Sequence, residues 1–179
     1  TRLHIGLDLL VLDAASIFQL REEWGRLYDD PTTALPPIGL SFRDYVLEGL
    51  ADWMDGVSAD GTVEGMAKGM GRDIVEIPGL PVRGINIPGK VAIAPHHDPA
   101  ERRFTIVHEL SHIEARKSGF NDCHGDVQRL ALAALMPSRV VRSLRTLDVV
   151  TLAAAVGAPC WAAWARLKMS SIPAMLRAA

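Results

Sequence analysis

The residues with the clearest capacity for chemistry lie in one short stretch: His108, Glu109 and His112 within Phe104-Thr105-Ile106-Val107-His108-Glu109-Leu110-Ser111-His112. On a helix, side chains four residues apart share a face, so His108 and His112 can aim two imidazoles at one divalent ion. Glu109 sits one residue on, about 100° round the helix. From there its carboxylate can reach a water on that ion and act as general base. The chemistry this pattern offers is metal-assisted hydrolysis.

Such a pattern works only on a regular helix, and the flanking sequence predicts one. Asp98-Pro99-Ala100-Glu101 combines an N-cap, a proline at the first helical position and an acid three residues after the cap. Phe104, Val107, Leu110 and Ser111 follow as a mostly apolar stripe, and Gly119 marks the stop after about five turns.

Two histidines do not complete a zinc site; a third protein ligand is needed, with water in the fourth position. Glu114, Cys123, His124 and Asp126 follow the motif. Glu114 lies two residues past His112 and faces another side of the helix. Asn121-Asp122 reads as the start of the next helix, which runs through Val127, Leu130, Ala131 and Leu135 to Pro137. His124 shares a stripe there with Val127 and Ala131, so it reads either as a ligand or as a hydrogen-bonded core histidine. Cys123 reads as a small buried residue, and Asp126 is the alternative ligand. His96 and His97 are adjacent in sequence and cannot present both rings as an i, i+4 pair does.

The motif from Arg103 to His112, followed by Ala131-Leu132-Ala133-Ala134-Leu135-Met136-Pro137, resembles the ImmA/IrrE metallopeptidases. Gly84-Ile85-Asn86-Ile87 and Val91-Ala92-Ile93-Ala94 are similar to that family's strands, and the resemblance covers about residues 62–144. It implies a zincin-like fold, a Zn2+ cofactor and a protein or peptide substrate, such as a transcriptional repressor cut at few sites. In the family a glutamate thirteen residues before that proline serves as third ligand, and this chain has His124 there. The implied set is therefore His108, His112 and His124, with Glu109 catalytic. Exchanging carboxylate for imidazole leaves a competent ligand and one less negative charge on the site.

The elements around this motif read as an α+β chain. Ile74–Ile77, Val82–Ile87 and Val91–Ala94 are short strand candidates, with Pro88-Gly89 as a hairpin turn. Thr62 to Met70 reads as a short helix with Val63, Met66, Ala67 and Met70 on its apolar face. The simplest packing is a small antiparallel sheet laid on the motif helix. Ser138–Leu144 reads as a helix, and Leu147–Val156 and Cys160–Met169 as a helix–turn–helix tail, with Val150, Leu152, Ala153, Val156, Trp161, Trp164 and Leu167 as its core. Its second helix offers only Arg166 and Lys168 as cations, too few near its N-terminus for a DNA-reading helix. Nucleic acid is accordingly not an expected partner.

Before this domain, residues 1–54 read as an α/β appendage: a strand from Leu3 to Leu12, a helix from Ser16, a Pro-rich connector and a helix from Ser41. Asp8-Leu9-Leu10-Val11-Leu12-Asp13-Ala14-Ala15-Ser16 resembles the D-x-x-x-x-D-x-x-S motif of heterocyclization domains, the condensation-like domains of nonribosomal peptide synthetases. The expected organisation is 1–54, a metallopeptidase-like domain 55–145, and a helical tail 146–179.

Across its 179 residues the chain is 49% apolar and 22% charged, which describes a globular protein. No apolar run approaches the length of a membrane span. Two cysteines make no disulfide framework and point to a reducing cytoplasm. Residues 1–128 hold 12 Lys/Arg against 20 Asp/Glu, whereas residues 129–179 hold 7 against 1. The basic end therefore reads either as a surface complementing its acidic neighbour or as a tail that touches nucleic acid or an acidic protein partner. Two other functions fit this reading: a non-catalytic docking module with a structural metal, and a metal-dependent tailoring enzyme of peptide natural-product biosynthesis.

Overall fold

A computed structural model describes residues 14–32, 42–95, 98–119, 123–144 and 148–169. In chain order these form α1 (Ala14–Asp29), α2 (Phe42–Gly56), α3 (Val63–Gly69), β1 (Asp73–Glu76), β2 (Gly84–Ile87), β3 (Lys90–Ile93) and α4 (Pro99–Lys117). There follow α5 (His124–Leu135), α6 (Ser138–Leu144), α7 (Val149–Val156) and α8 (Cys160–Lys168). The strand expected at Leu3–Leu12, the heterocyclization-like residues Asp8 and Asp13, the centre of the Pro-rich connector, His96-His97 and Asn121-Asp122 lie outside the described residues.

The chain divides into two compact units, Thr1–Ile38 and Gly39–Ala179. The first unit contains α1, whose exposed side chains include Phe18 and Tyr28. The second unit contains all other described elements. It includes α2, which the sequence assigns to the N-terminal appendage but which packs along α5. Leu47, Ala51 and Met54 of α2 are buried there, in one apolar cluster with Val63 and Met66 of α3, Ile106 and Leu110 of α4, and Leu130 and Ala131 of α5. Each fully buried aliphatic side chain of this kind contributes about 1.5–3 kcal/mol.

Local chemistry explains the helix limits. The Asp98 carboxylate accepts from Ala100 N at 2.8 Å with Pro99 in the first turn, and Gly119 (φ +70°) follows the last one. Thr62 caps α3 through a bond from Gly65 N at 2.9 Å, and Asp148 caps α7 through Thr151 N at 2.7 Å. Helix α5 opens at His124 with Cys123 at its N-cap and no side-chain cap bond.

The sheet corrects the expectation of a purely antiparallel one. Its order is β1–β3–β2, with β2 antiparallel to β3 through the Pro88-Gly89 turn and β1 parallel to β3. The alternation of side chains within a strand carries no information about the direction of its neighbour, and Pro78-Gly79-Leu80-Pro81 carries the chain from β1 to the far edge of the sheet. Among the described residues, strand β2 is left as an edge.

The C-terminal helices differ in their buried faces from the sequence expectation. Val150, Trp161 and Trp164 are exposed, and the buried face of α8 is formed by Ala162, Ala163 and Arg166. Arg166 has no exposed surface. Its Nη1 and Nη2 donate to the two carboxylate oxygens of Glu48 at 2.8 and 2.9 Å, Nη2 also donates to Ser138 Oγ at 2.8 Å, and Nε donates to the Met136 carbonyl at 3.0 Å. A buried guanidinium needs this many partners to offset the loss of water. The fork ties α8 to α2 and to the α5–α6 junction. No single helix among the described residues is long and apolar enough to cross a membrane.

Candidate metal centre

The 3.6-residue period of α4 sorts its residues into adjoining stripes, both of which meet one cleft. Phe104, His108, His112 and Arg116, spaced by four, line it, as do Thr105 and Glu109 one position on. The opposite wall is Val82 to Asn86 in and before β2, and α5 contributes His124 and Gln128. The cavity measures about 710 Å³, in the range of small-ligand and peptide sites.

Within this cleft His108, His112 and His124 converge. Their ring centroids lie 4.9 Å (His108–His112), 5.0 Å (His108–His124) and 5.8 Å (His112–His124) apart. Each ring offers one nitrogen, all within 4.8 Å of one another, so the three could hold a metal ion. Two nitrogens on one tetrahedral zinc stand about 3.3 Å apart, given Zn–N bonds of about 2.0–2.1 Å. Small rotations of three side chains that are half-buried or exposed close that gap, and the all-imidazole donor set suits zinc among other first-row metals.

Asp126, the alternative ligand, is turned elsewhere. It is buried, ion-paired to Arg43, and accepts from Cys123 Sγ at 3.2 Å. Burial opposes its ionisation, but the hydrogen bonds from Arg43 and Cys123 and the charges of Arg43 and Arg129 prevail, so its carboxyl titrates below the ordinary carboxylate value. The structure therefore gives Asp126 to α2 rather than to the histidine cluster. Cys123 is half-buried rather than fully buried.

Glu109 is almost wholly buried at the base of the cleft. Asn86 Nδ2 donates to its carboxylate Oε2 at 2.9 Å and to its backbone carbonyl at 3.0 Å, which fixes the rotamer of the side chain. Strand and helix approach closely enough for this because residue 84 is glycine. A Cβ there would stand 2.8 Å from Glu109 Cγ and 2.9 Å from Thr105 Cγ2. Asn86 and Gly84 are positioning residues that periodicity and composition leave unmarked; the signal that could have found them is a glycine and an amide alternating on one face of an edge strand.

Trp161 is also placed differently from the sequence expectation. It leaves the core of the tail to line the cleft, its Nε1 donating to Glu101 Oε1 at 2.8 Å and its ring meeting Phe104 edge-on at 4.6 Å. Phe104 in turn stacks on His108 at 5.8 Å. Arg83 Nη1 donates to the other oxygen of Glu101 at 2.9 Å, so β2, α4 and α8 meet at one rim.

Residues 81–168 match the family model of the IrrE N-terminal-like domain, peptidase family M78. The match begins just before β2 and ends at the last residue of α8, so it takes in every cleft-lining residue named above. It supports the ImmA/IrrE resemblance and a metallopeptidase-type function with a protein or peptide substrate. A search of curated proteins finds no match.

Proposed function

We propose that this protein is a zinc-dependent metallopeptidase that cuts a regulatory protein, such as a transcriptional repressor, at few sites. The observation that carries this reading is the convergence of His108, His112 and His124 in an open cleft beside the buried, Asn86-held carboxylate of Glu109. The three imidazoles would hold Zn2+, which when bound supplies Lewis acidity to the attacking water and to the scissile carbonyl. Glu109 takes the proton of that water as its oxygen bonds to the carbonyl carbon. It then returns the proton to the amide nitrogen as the C–N bond breaks.

Substrate binding is supported by β2, which is an edge strand among the described residues. Arg83 O accepts from Ala94 N at 2.9 Å, so Arg83 and Ala94 form a hydrogen-bonded pair in the β2–β3 ladder. Alternation then turns the N–H and C=O of Gly84 and Asn86 away from β3, toward the open edge. An extended peptide can add there as a further strand, its amides meeting those groups. Cys123 and Cys160 are both free thiols, in keeping with a cytoplasmic setting.

The test is zinc content and peptide cleavage in the wild type beside Glu109→Gln. About one zinc per chain in both, with cleavage only in the wild type, is the expected result. Undiminished cleavage by Glu109→Gln would sink the assignment of the base. A zinc-loaded wild type that binds proteins and cuts none would move the docking-module reading to the front.

A further inference from the structure

Cys123 and Asp126, close to His124 in sequence, take no part in the chemistry described above. Both belong to the first turn of α5, the turn that carries His124. That turn is weakly made. Helix α5 opens on Cys123 without a side-chain cap bond, and Val127 N reaches the Cys123 carbonyl at 3.2 Å. The first amides of a helix have no partner within it, so a first turn without a cap frays readily. His124 is itself exposed.

Asp126 holds this turn from its far side. It lies two residues beyond His124, about 200° round the helix, so the imidazole faces α4 while the carboxylate faces α2. Cys123 Sγ donates to Asp126 Oδ2 at 3.2 Å, which closes the turn on itself, and Arg43 of α2 donates to Oδ1. The carboxylate is only 6% exposed and needs such donors in place of water. One turn further along, a pair of opposite sense joins the same helices: Arg129 Nη2 of α5 donates to Asp44 Oδ1 of α2 at 2.6 Å. Arg43 lies outside residues 81–168, so the family match does not include it.

Resting on the zinc reading above, we infer that Arg43 is a positioning residue of the metal centre. Through Asp126 it holds the first turn of α5 so that the His124 imidazole meets those of His108 and His112. Without Arg43 the buried carboxylate loses its guanidinium partner, and the turn must open to let water reach it. His124 moves with the turn. Helix α2 stays docked, because Leu47, Ala51 and Met54 remain in the core. Groups that orient a metal ligand from outside the coordination sphere are worth about 10- to 100-fold in metal affinity, and Arg43, acting through one turn of backbone, should give about the lower figure.

The test is the zinc affinity of the full chain, measured by competition with a chromophoric chelator, beside thermal melts of the metal-free proteins. Arg43→Ala and Asp126→Asn should each weaken zinc binding about tenfold. The double variant should bind no more weakly than Asp126→Asn alone, since one interaction cannot be lost twice. Arg43→Lys, which keeps the charge, should recover most of the affinity. Arg139→Ala is the control: Arg139 of α6 is ion-paired to Asp55 at the other end of α2, so its loss loosens α2 far along the helix from Arg43. That variant should melt earlier without metal and bind zinc as the wild type does.

Unchanged zinc affinity in Arg43→Ala, an equal loss in Arg139→Ala, or additive losses in the double variant would each overturn the inference. Where circular dichroism shows Arg43→Ala to be unfolded, Arg43→Gln takes its place. A wild type that takes up no zinc overturns the zinc reading itself. A wild type that binds zinc tightly, with Arg43→Ala its equal, overturns the positioning role alone.

Discussion

Gly84→Ala is the smallest change that tests how Glu109 is held. An added Cβ would lie 2.8 Å from Glu109 Cγ, 2.9 Å from Thr105 Cγ2 and 3.1 Å from Glu109 Oε1, where ordinary contact begins at 3.4 Å. Strand β2 and helix α4 must therefore separate by about 0.6 Å, or the Glu109 side chain must turn. Separation would stretch the Asn86 bonds, now 2.9 and 3.0 Å, to about 3.5 Å, past the range in which an N–H···O bond holds. Overpacking of this kind costs about 1–3 kcal/mol of stability, and displacing a catalytic group by a large fraction of an ångström costs roughly 10- to 100-fold in rate.

The assay is kcat/KM on a library peptide that the wild type cuts, with zinc content and urea denaturation measured on the same preparations. The variant should bind zinc as the wild type does, because the atoms nearest the new methyl group belong to Glu109 and Thr105 and not to the three histidines. It should lose stability and lose rate, chiefly in kcat. Gly49→Ala is the control: it sits exposed in α2 with nothing within 4 Å of its Cβ position, and alanine there should raise stability by up to about 1 kcal/mol. A Gly84→Ala protein with wild-type rate and stability would refute the close approach of β2 to α4 and with it the account of how Glu109 is positioned.

Other perturbations separate the remaining supports of the site. His124→Ala should lower zinc occupancy at least tenfold by mass spectrometry of the metal, whereas His124→Glu, which restores a charged oxygen donor, should retain it; equal occupancy in wild type and His124→Ala would remove His124 from the ligand set. Arg166→Met should cost about 3–5 kcal/mol in urea denaturation by leaving the Glu48 carboxylate buried without its guanidinium counter-ion, and adding Glu48→Met should recover much of that; additive losses would show that the two do not act as a pair. The Asp148 carboxyl is held below its ordinary range, first by the Thr151 hydroxyl and then by the Thr151 amide. Its contribution is complete above the unfolded carboxylate range near pH 4 and is lost as pH falls through the lower folded value. Thermal melts from pH 6 to 2 should therefore show an acid loss of stability that is shallower in Asp148→Asn, and an unchanged slope would count against the cap.

The motif helix was legible because every signal for it is local. Cap, proline and acidic first turn lie within four residues, and the spacing of His108 and His112 forces a common face wherever the helix packs. His124 required a tertiary fact, the approach of α5 to α4, which its stripe with Val127 and Ala131 indicated but could not establish. The direction of β1 was not legible, since a four-residue strand has the same pattern beside a parallel or an antiparallel neighbour. The tail misled for a stronger reason. Hydropathy assigns Trp161 and Trp164 to a core and Arg166 to solvent, yet the counter-ion that permits Arg166 to be buried is Glu48, 118 residues earlier. Once that pair is inside, Ala162 and Ala163 must share its face, and the tryptophans three residues apart are carried to the outer face of α8.

That inversion bears on what the site needs in order to exist. Trp161 reaches the cleft only because α8 is anchored from its opposite face by Arg166, and Arg166 is tolerated there only because α2 supplies Glu48 and the α5–α6 junction supplies Ser138 and the Met136 carbonyl. The aromatic end of the cleft is thus fixed by elements on both sides of the stretch that carries the histidines. A chain cut back to residues 55–145 would keep His108, Glu109, His112 and His124, but would lose the Trp161 wall and the α2 partner of Asp126. It would also expose the apolar face of α5 that α2 now covers. The residues that could hold the metal are therefore local in sequence, while those that shape the cleft around them are drawn from most of Gly39–Ala179.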